Sequence, residues 1–396
     1  MNLAIDDKYY LFFVRDVLPQ PEAHLVQMVN LADAAANLGY RAVLVSLDRT
    51  LKAYNPLNLA SPFQPQKPNE EMVRYYNIQD KLQVATLPMP WPIDRLESKW
   101  TNSSTLSCKY YLPAHLQSKT KIVHSRDWNF VKAAVQRGIP AIYERDHCES
   151  KKYEPEIVNN PQFKVTVTVT ETIKDNLIEN GMPAEKIICL HNGFNQVFVT
   201  RHPEAAQEWR RKLLAKGHQQ LVVYCGALYP FKGINLLIKI AKDLPQVQFA
   251  LAGGPESQIQ AYQQMLREQE ITNVTLVGYL PQRKLAGLLQ GADALVYPHL
   301  AGEAANTTSP MKLFDYIAAG KPIVATTIPP LKEFQTSPLV AAWSEPNNPT
   351  QFSQSLQQVL HRYPQWSEEH LHHDNMGLVQ QFSWEHRIKQ TLDYFK

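Results

Sequence analysis

Cysteine, glycine and unbalanced charge are all scarce in this chain. Its 396 residues include four cysteines, Cys108, Cys148, Cys189 and Cys225, too widely spaced for a disulfide framework or a CxxC metal pattern. A reducing, cytoplasmic setting is the expectation. The 15 glycines are outnumbered by 28 prolines. Many prolines fall between residues 55 and 92, which predicts a long irregular excursion. The net charge is only +3, so electrostatics does not call for nucleic acid as a partner, and Arg210-Arg-Lys212 reads as a solvated helix face. No apolar window approaches the roughly 20 residues of a membrane span. The N-terminal Met1-Asn-Leu-Ala-Ile-Asp-Asp-Lys has acids ahead of its apolar run and makes a poor secretory signal. What remains is globular: 44% hydrophobic and 19% charged, at a length for about two domains.

Apolar runs alternate with helical periods. Tyr9–Val14 reads as a buried strand, followed by the loop Arg15–His24, a helix over Leu25–Leu38 and a strand over Ala42–Ser46. Such strand–helix–strand units predict a parallel sheet. Residues 50–80 read as loop. Further strands are predicted at 82–87, 122–124, 141–143 and 165–169, with helices at 130–137 and 172–180, and Lys186–Gly193 reads as a strand ending in a turn. Arg201–Glu204 reads as a linker. The pattern then restarts with strands at 221–225, 248–252, 274–277, 294–297 and 323–325. Helices are expected at 234–242, 259–268, 283–290 and 384–394. The fold class predicted is α/β, with two doubly wound domains in tandem.

One stretch carries chemistry. In Thr308-Ser-Pro-Met-Lys-Leu-Phe-Asp-Tyr-Ile-Ala-Ala-Gly320, Thr308 or Ser309 suits a helix cap and Pro310 its first turn. Leu313, Phe314, Ile317 and Ala318 form one apolar face, and Gly320 ends the helix. A helix start has free N–H groups and a positive dipole end, suited to an anion. Asp315 and Lys312 lie close to that start. An acid beside such a start points to a nucleotide, its diphosphate on the N–H groups and its ribose on the carboxylate. Lys312 itself reads most simply as a solvated helix residue.

Four segments in order extend this reading. Gly226-Ala-Leu-Tyr-Pro-Phe-Lys-Gly233, Leu251-Ala-Gly-Gly-Pro255, Val277-Gly-Tyr-Leu-Pro281 and Ser309-Pro-Met-Lys-Leu-Phe-Asp-Tyr-Ile-Ala318 together resemble the nucleotide-sugar half of a GT-B glycosyltransferase of retaining family 4. The last is similar to the SPxKxFEYxA form of that family's motif. In the first half, Tyr75-Tyr-Asn-Ile, His124-Ser-Arg126, Tyr143-Glu-Arg-Asp-His147 and His191-Asn-Gly193 have counterparts, and Phe382-Ser-Trp384 resembles the start of the closing helix.

The resemblance implies two Rossmann-like domains facing a central cleft. Residues 1–196 would form the acceptor side, with residues 382–396 packing back on it, and 197–381 the nucleotide-sugar side. It implies transfer of a hexose from a nucleotide sugar, UDP-linked by family habit, to a small-molecule or glycan acceptor. The donor would lie on Gly226, Ala227, Lys232, Gly253, Gly278, Tyr279, Leu280, Thr307, Thr308, Ser309 and Asp315, with Lys232 on the diphosphate and Asp315 on the ribose. His147 would stand near the sugar as a catalytic residue beside Lys232 and Asp315. Gln20, His24, Arg126 and Glu144 are the acceptor-side candidates. There is no Asp-x-Asp triplet, so no metal and no cofactor are expected. Two positions depart from the family pattern. Ala227 stands where relatives often carry Arg, and Thr307, eight positions before Asp315, stands where they carry a first glutamate. A sugar-nucleotide epimerase and a non-catalytic nucleotide- or partner-binding module are the rival readings.

Overall fold

The computed structural model describes residues 7–50, 58, 60–89, 102–214, 217–306, 310–336, 338–362 and 379–394. The chain divides into two compact units, residues 1–191 with 384–396, and residues 192–383.

The first unit is built on a parallel sheet of seven strands. They are β1 (Tyr9–Phe13), β2 (Ala42–Asp48), β3 (Gln83–Pro88), β4 (Thr120–Ser125), β5 (Ala141–Glu144), β6 (Phe163–Thr168) and β7 (Ile187–Cys189), in the spatial order β3-β2-β1-β4-β5-β6-β7. Every residue of β1 is buried, as expected of a strand covered on both faces. Its register sets Leu11 beside Val43 on one side and Val123 on the other. Helix α1 (Ala23–Asn37) follows β1 and buries Leu25, Met28, Val29, Leu31 and Ala32. Three later helices lie in further crossovers. These are α2 (Glu70–Tyr76), α3 (Trp128–Gln136) and α4 (Glu171–Glu179). Asn69, Asp127 and Thr170 cap their starts through side-chain oxygens.

The second unit has six parallel strands: β8 (Gln220–Cys225), β9 (Val247–Ala252), β10 (Val274–Gly278), β11 (Ala294–Tyr297), β12 (Ile323–Thr326) and β13 (Ala342–Ser344). Their order is β10-β9-β8-β11-β12-β13. Its helices are α5 (Pro203–Leu213), α6 (Ile234–Asp243), α7 (Glu256–Glu268), α8 (Gln282–Gln290), α9 (Met311–Ala319) and α10 (Pro349–Arg362). The closing helix α11 (Trp384–Asp393) belongs to the first unit, where it packs on α1.

In each sheet the strand order reverses once, between β1 and β4 and between β8 and β11. Ligands of such sheets bind beyond the carboxyl ends of the strands at that reversal.

The structure corrects several expectations. Residues 50–80 are not loop throughout, because α2 lies within them; residues 51–57 and 59 are outside the described residues. Arg201–Glu204 is not a linker, since Pro203 opens α5, where proline fits a first turn. Arg210 on that helix is not simply solvated, for it ion-pairs with Asp293 at 2.8 Å and donates to the Gly291 carbonyl. A wide π-type helix over Leu106–Leu116, containing Pro113, occupies a stretch with no predicted element.

Candidate functional site

In the second unit the site grows from the glycine turns after β8 and β9. Gly253 has φ +120°, and a Cβ there would stand 2.3 Å from the Gly226 carbonyl oxygen. Only glycine lets the two turns touch backbone to backbone. The amide of Gly226 donates to Ala252, and that of Gly253 donates to Gly278 at 2.7 Å. Gly226, Gly253 and Gly278 therefore lie side by side. Tyr279 follows as a ring 46% exposed, and Leu280 packs on the core.

Gly233 ends the β8 loop in the left-handed region at φ +83° and precedes α6. A Cβ there would fall 1.9 Å from the Pro298 carbonyl oxygen. This close approach sets the loop against the end of β11. It brings Lys232 to His299, with Nζ 3.1 Å from Nε2. His299 Nδ1 lies 2.9 Å from the Leu300 carbonyl. A proton on Nδ1 satisfies that carbonyl and leaves Nε2 to accept from the lysine. Burial, then the Lys232 charge, hold the His299 imidazole down to about 4, so it is neutral at pH 7. Burial lowers Lys232 to about 8.

Helix α9 brings the second lysine. It starts at Met311, with no side-chain cap at Pro310. Lys312 is its second residue. Its Nζ donates to the Tyr224 hydroxyl at 2.9 Å and lies 4.1 Å and 5.0 Å from the ring centres of Tyr224 and Tyr297. It is not a solvated helix residue. A Cβ on Gly226 would stand 3.0 Å from that same Nζ. Burial, then the neighbouring Lys232 charge, bring Lys312 down to about 7. Three residues on, Asp315 is half-buried and burial raises its carboxyl to about 8. Tyr316 ties the helix to β8, accepting from the Cys225 amide at 2.8 Å.

The structure thus brings Gly226, Ala227, Lys232, Gly253 and Gly278 to one end of this sheet, together with α9 and Asp315. Thr307, Thr308 and Ser309, with the proposed cap, lie outside the described residues. His299, Tyr224 and the position of Lys312 escaped sequence reasoning. No motif marks His299. Lys312 stood inside the motif, but its partner Tyr224 lies on another element.

In the first unit Gln20 and His24 follow β1, Arg126 follows β4, and His147 follows β5. Gln20 is fixed by Tyr76, whose hydroxyl donates to its carbonyl at 2.8 Å and accepts from its amide at 2.7 Å. Arg126 ion-pairs with Asp146 and donates to Gln27 Oε1 at 2.6 Å. His147 is exposed, with Nδ1 2.9 Å from Asp146, a contact that raises its pKa. The Asp146 carboxyl falls below its usual range despite burial, because His147 and Arg126 stabilise its charge. His24 is half-buried, and burial, then the charge of Arg126, lower its pKa. These groups share the carboxyl end of the sheet.

Glu144, the last residue of β5, stands at the same end with its side chain buried in the fold. It is 1% exposed. One carboxylate oxygen meets His124 Nε2 at 3.0 Å, and the other accepts from Arg387 at 2.6 Å and Gln27 at 3.3 Å. Both oxygens are engaged inside the fold. Among the described residues there is no group of three or more His, Cys, Asp or Glu that would hold a metal ion, and no helix long and apolar enough to cross a membrane.

The sequence model for glycosyl transferases group 1 matches residues 205–372. The chain is 26% identical over 246 residues to an alpha-galactosylglucosyldiacylglycerol synthase of Streptococcus pneumoniae, which covers 60% of this chain and 58% of that protein. It is 23% identical over 237 residues to a D-inositol 3-phosphate glycosyltransferase of Mycolicibacterium smegmatis, covering 55% and 52%. The chain therefore spans little more than half the length of these relatives. Among solved structures, Anabaena Alr3699/HepE in complex with UDP and glucose superposes with TM-score 0.67 at 14% identity, over 98% of both chains. A glycosyltransferase from Rickettsia africae superposes with TM-score 0.68 at 15% identity, over 99% and 100%. The chain has the GT-B fold, two parallel Rossmann-like sheets, and its residues 205–372 carry the pattern of glycosyl transferases group 1.

Proposed function

We propose that this protein is a retaining glycosyltransferase that moves a hexose from a nucleotide sugar, by preference a UDP-sugar, to an acceptor hydroxyl without a metal ion. One observation carries the reading. Inside the segment that matches group 1 glycosyl transferases, two lysines, Lys232 and Lys312, converge on the glycine turns at the end of β8.

Transfer breaks the bond between the anomeric carbon and a phosphate oxygen, and negative charge develops on the departing diphosphate. Ammonium groups set in advance beside that oxygen stabilise the charge in the transition state. The lysines supply this cationic field, and Asp315 takes the ribose hydroxyls. Anabaena Alr3699/HepE, solved in complex with UDP and glucose and with UDP-glucose, supports the choice of donor. On the first unit, Gln20, His24, Arg126 and His147 form the acceptor-side group, where small molecules and glycans are the acceptors considered. The four free cysteines fit work in the reducing cytoplasm.

The test is a donor screen with UDP-, GDP- and ADP-hexoses, reading nucleotide release with water or added acceptors and the anomeric configuration of any glycoside. Release from a UDP-hexose, an α-linked product and activity undiminished by chelator support the reading. Interconversion of UDP-GlcNAc with no acceptor would mark an epimerase instead. Nucleotide binding without turnover on any donor would mark a binding module.

A further inference from the structure

We propose that Lys312 is a second phosphate-binding cation of the donor site and that Tyr224 is the residue that positions it. The inference rests on the nucleotide-sugar reading above and adds to it a residue and a reason for its placement.

The geometry starts with Tyr224, the fully buried ring at the end of β8. Its hydroxyl donates to the Ala227 carbonyl at 2.8 Å and accepts from Lys312 Nζ at 2.9 Å. One oxygen therefore joins the lysine to the backbone of the glycine loop. The rings of Tyr224 and Tyr297 flank the ammonium, and cation–π attraction holds it there. The tip of the side chain touches the space beside Gly226, where a side chain would collide with it.

The electrostatics ask for an anion. Among the described residues Lys312 makes no ion pair. The charge that acts on it most strongly is a second ammonium, Lys232. Two like charges in a partly desolvated place oppose each other, and each loses hydration. Asp315, one turn along α9, is too weakly coupled to compensate, for burial alone accounts for its shift. A diphosphate between the two ammonium groups removes the repulsion and replaces the lost hydration. Tyr224 then acts as a rest for Lys312, from which the ammonium reaches phosphate oxygen while its stem stays between the rings.

The experiment compares binding of uridine, UMP and UDP to wild type, Lys312→Met and Lys312→Arg. Lys312→Met is expected to lose tenfold or more in UDP affinity and to leave uridine affinity unchanged, with Lys312→Arg in between. Equal UDP affinity in wild type and a folded Lys312→Met would overturn the proposal. A measurement on wild type stands beside it in case the Met variant does not fold. Acetylation by an amine-reactive acetyl ester, mapped by mass spectrometry, should fall severalfold at Lys312 with UDP and not with uridine. Protection of Lys232 by UDP with no change at Lys312 would also refute the role of Lys312 and leave the nucleotide reading standing. If wild type binds neither UDP nor GDP, the nucleotide reading itself fails, and this inference falls with it.

Discussion

Glu144 on β5 and Arg387 on α11 are joined at 2.6 Å, although 243 residues separate them in the chain. Both are almost wholly buried, at 1% and 2% exposure. The same guanidinium donates to the carbonyls of Leu190 and His191. The Glu144 charge survives burial because Arg387 and His124 stabilise it. Helix α11 is therefore fastened to the first unit by a buried ion pair. Removing one partner leaves a buried charge alone, which typically costs about 3–5 kcal/mol. Arg387→Met is expected to lower the melting temperature and to strip hydrogen-exchange protection from α11. Adding Glu144→Gln should recover part of the loss. Equal stability in Arg387→Met and wild type would show that packing alone holds the helix.

Asp33 on α1 offers a test by pH. It is buried, its carboxylate accepts from the Gln79 amide at 3.0 Å, and burial raises it to about 7, with Glu385 and Asp80 adding to the shift. A carboxyl in an unfolded chain titrates near 3.9. The folded state thus binds this proton more tightly. That stability is complete below about pH 4 and is lost as pH rises through 7. Asp33→Asn keeps an oxygen for Gln79 and abolishes the titration. Its melting temperature should exceed that of wild type at pH 8.5, by a few degrees or more given about 2–4 °C per kcal/mol. The two curves should converge near pH 4. A constant difference across that range would remove Asp33 as the source.

The glycine turns separate backbone strain from contact. Gly39 has φ +91° with open space around its Cβ position, whereas Gly253 at φ +120° faces the Gly226 oxygen at 2.3 Å. Gly39→Ala should cost about 1–2 kcal/mol, the penalty of the left-handed region. Gly253→Ala should cost more and also weaken nucleotide binding, because it pushes the two donor turns apart. Unimpaired UDP affinity in Gly253→Ala would detach that turn from the donor.

How much of this was legible depended on the range of the contact. Strands such as β1 and β8 are buried on both faces and show as unbroken apolar runs, so the sheets could be read directly. Helix α10 also carried a signal, with Phe352, Leu356, Val359 and Leu360 at helical spacing, but polar residues between them masked it. Helix α5 buries only Leu213, so periodicity had little to detect. At the site, turn glycines are a local property and were found. The neighbours of Lys312 and Glu144 come from distant strands and helices, and only the folded chain brings them into contact.

On the proposed reading, Lys232 meets the leaving group and Asp315 the ribose. Lys232→Met should lower turnover on the order of 10²-fold through lost stabilisation of the departing diphosphate. His299 accepts from Lys232, so His299→Phe should lower turnover less and leave acceptor KM unchanged. Asp315→Ala should weaken nucleotide binding by about 1–3 kcal/mol, as expected for a lost buried hydrogen-bonding group. Calorimetry with UDP and steady-state rates distinguish the two roles. Unchanged turnover in Lys232→Met would remove that residue from the site.

The same groups set the pH dependence of donor binding. Lys312 lies near 7, Lys232 near 8 and Asp315 near 8. Between pH 7 and 9 both lysines lose positive charge while Asp315 gains negative charge. All three changes oppose an anionic ligand. His299, held near 4, stays neutral throughout. The terminal phosphate of UDP, titrating near about 6, is already ionised. Bound diphosphate favours the charged lysines, so binding in this range takes up protons. UDP affinity should therefore fall steadily from pH 7 to 9. Calorimetry in buffers of different ionisation enthalpy should register net proton uptake at pH 8. Lys312→Met should bind more weakly at pH 7, and its affinity should change less with pH. Affinity that rises with pH, or proton release at pH 8, would show that these lysines do not meet the diphosphate.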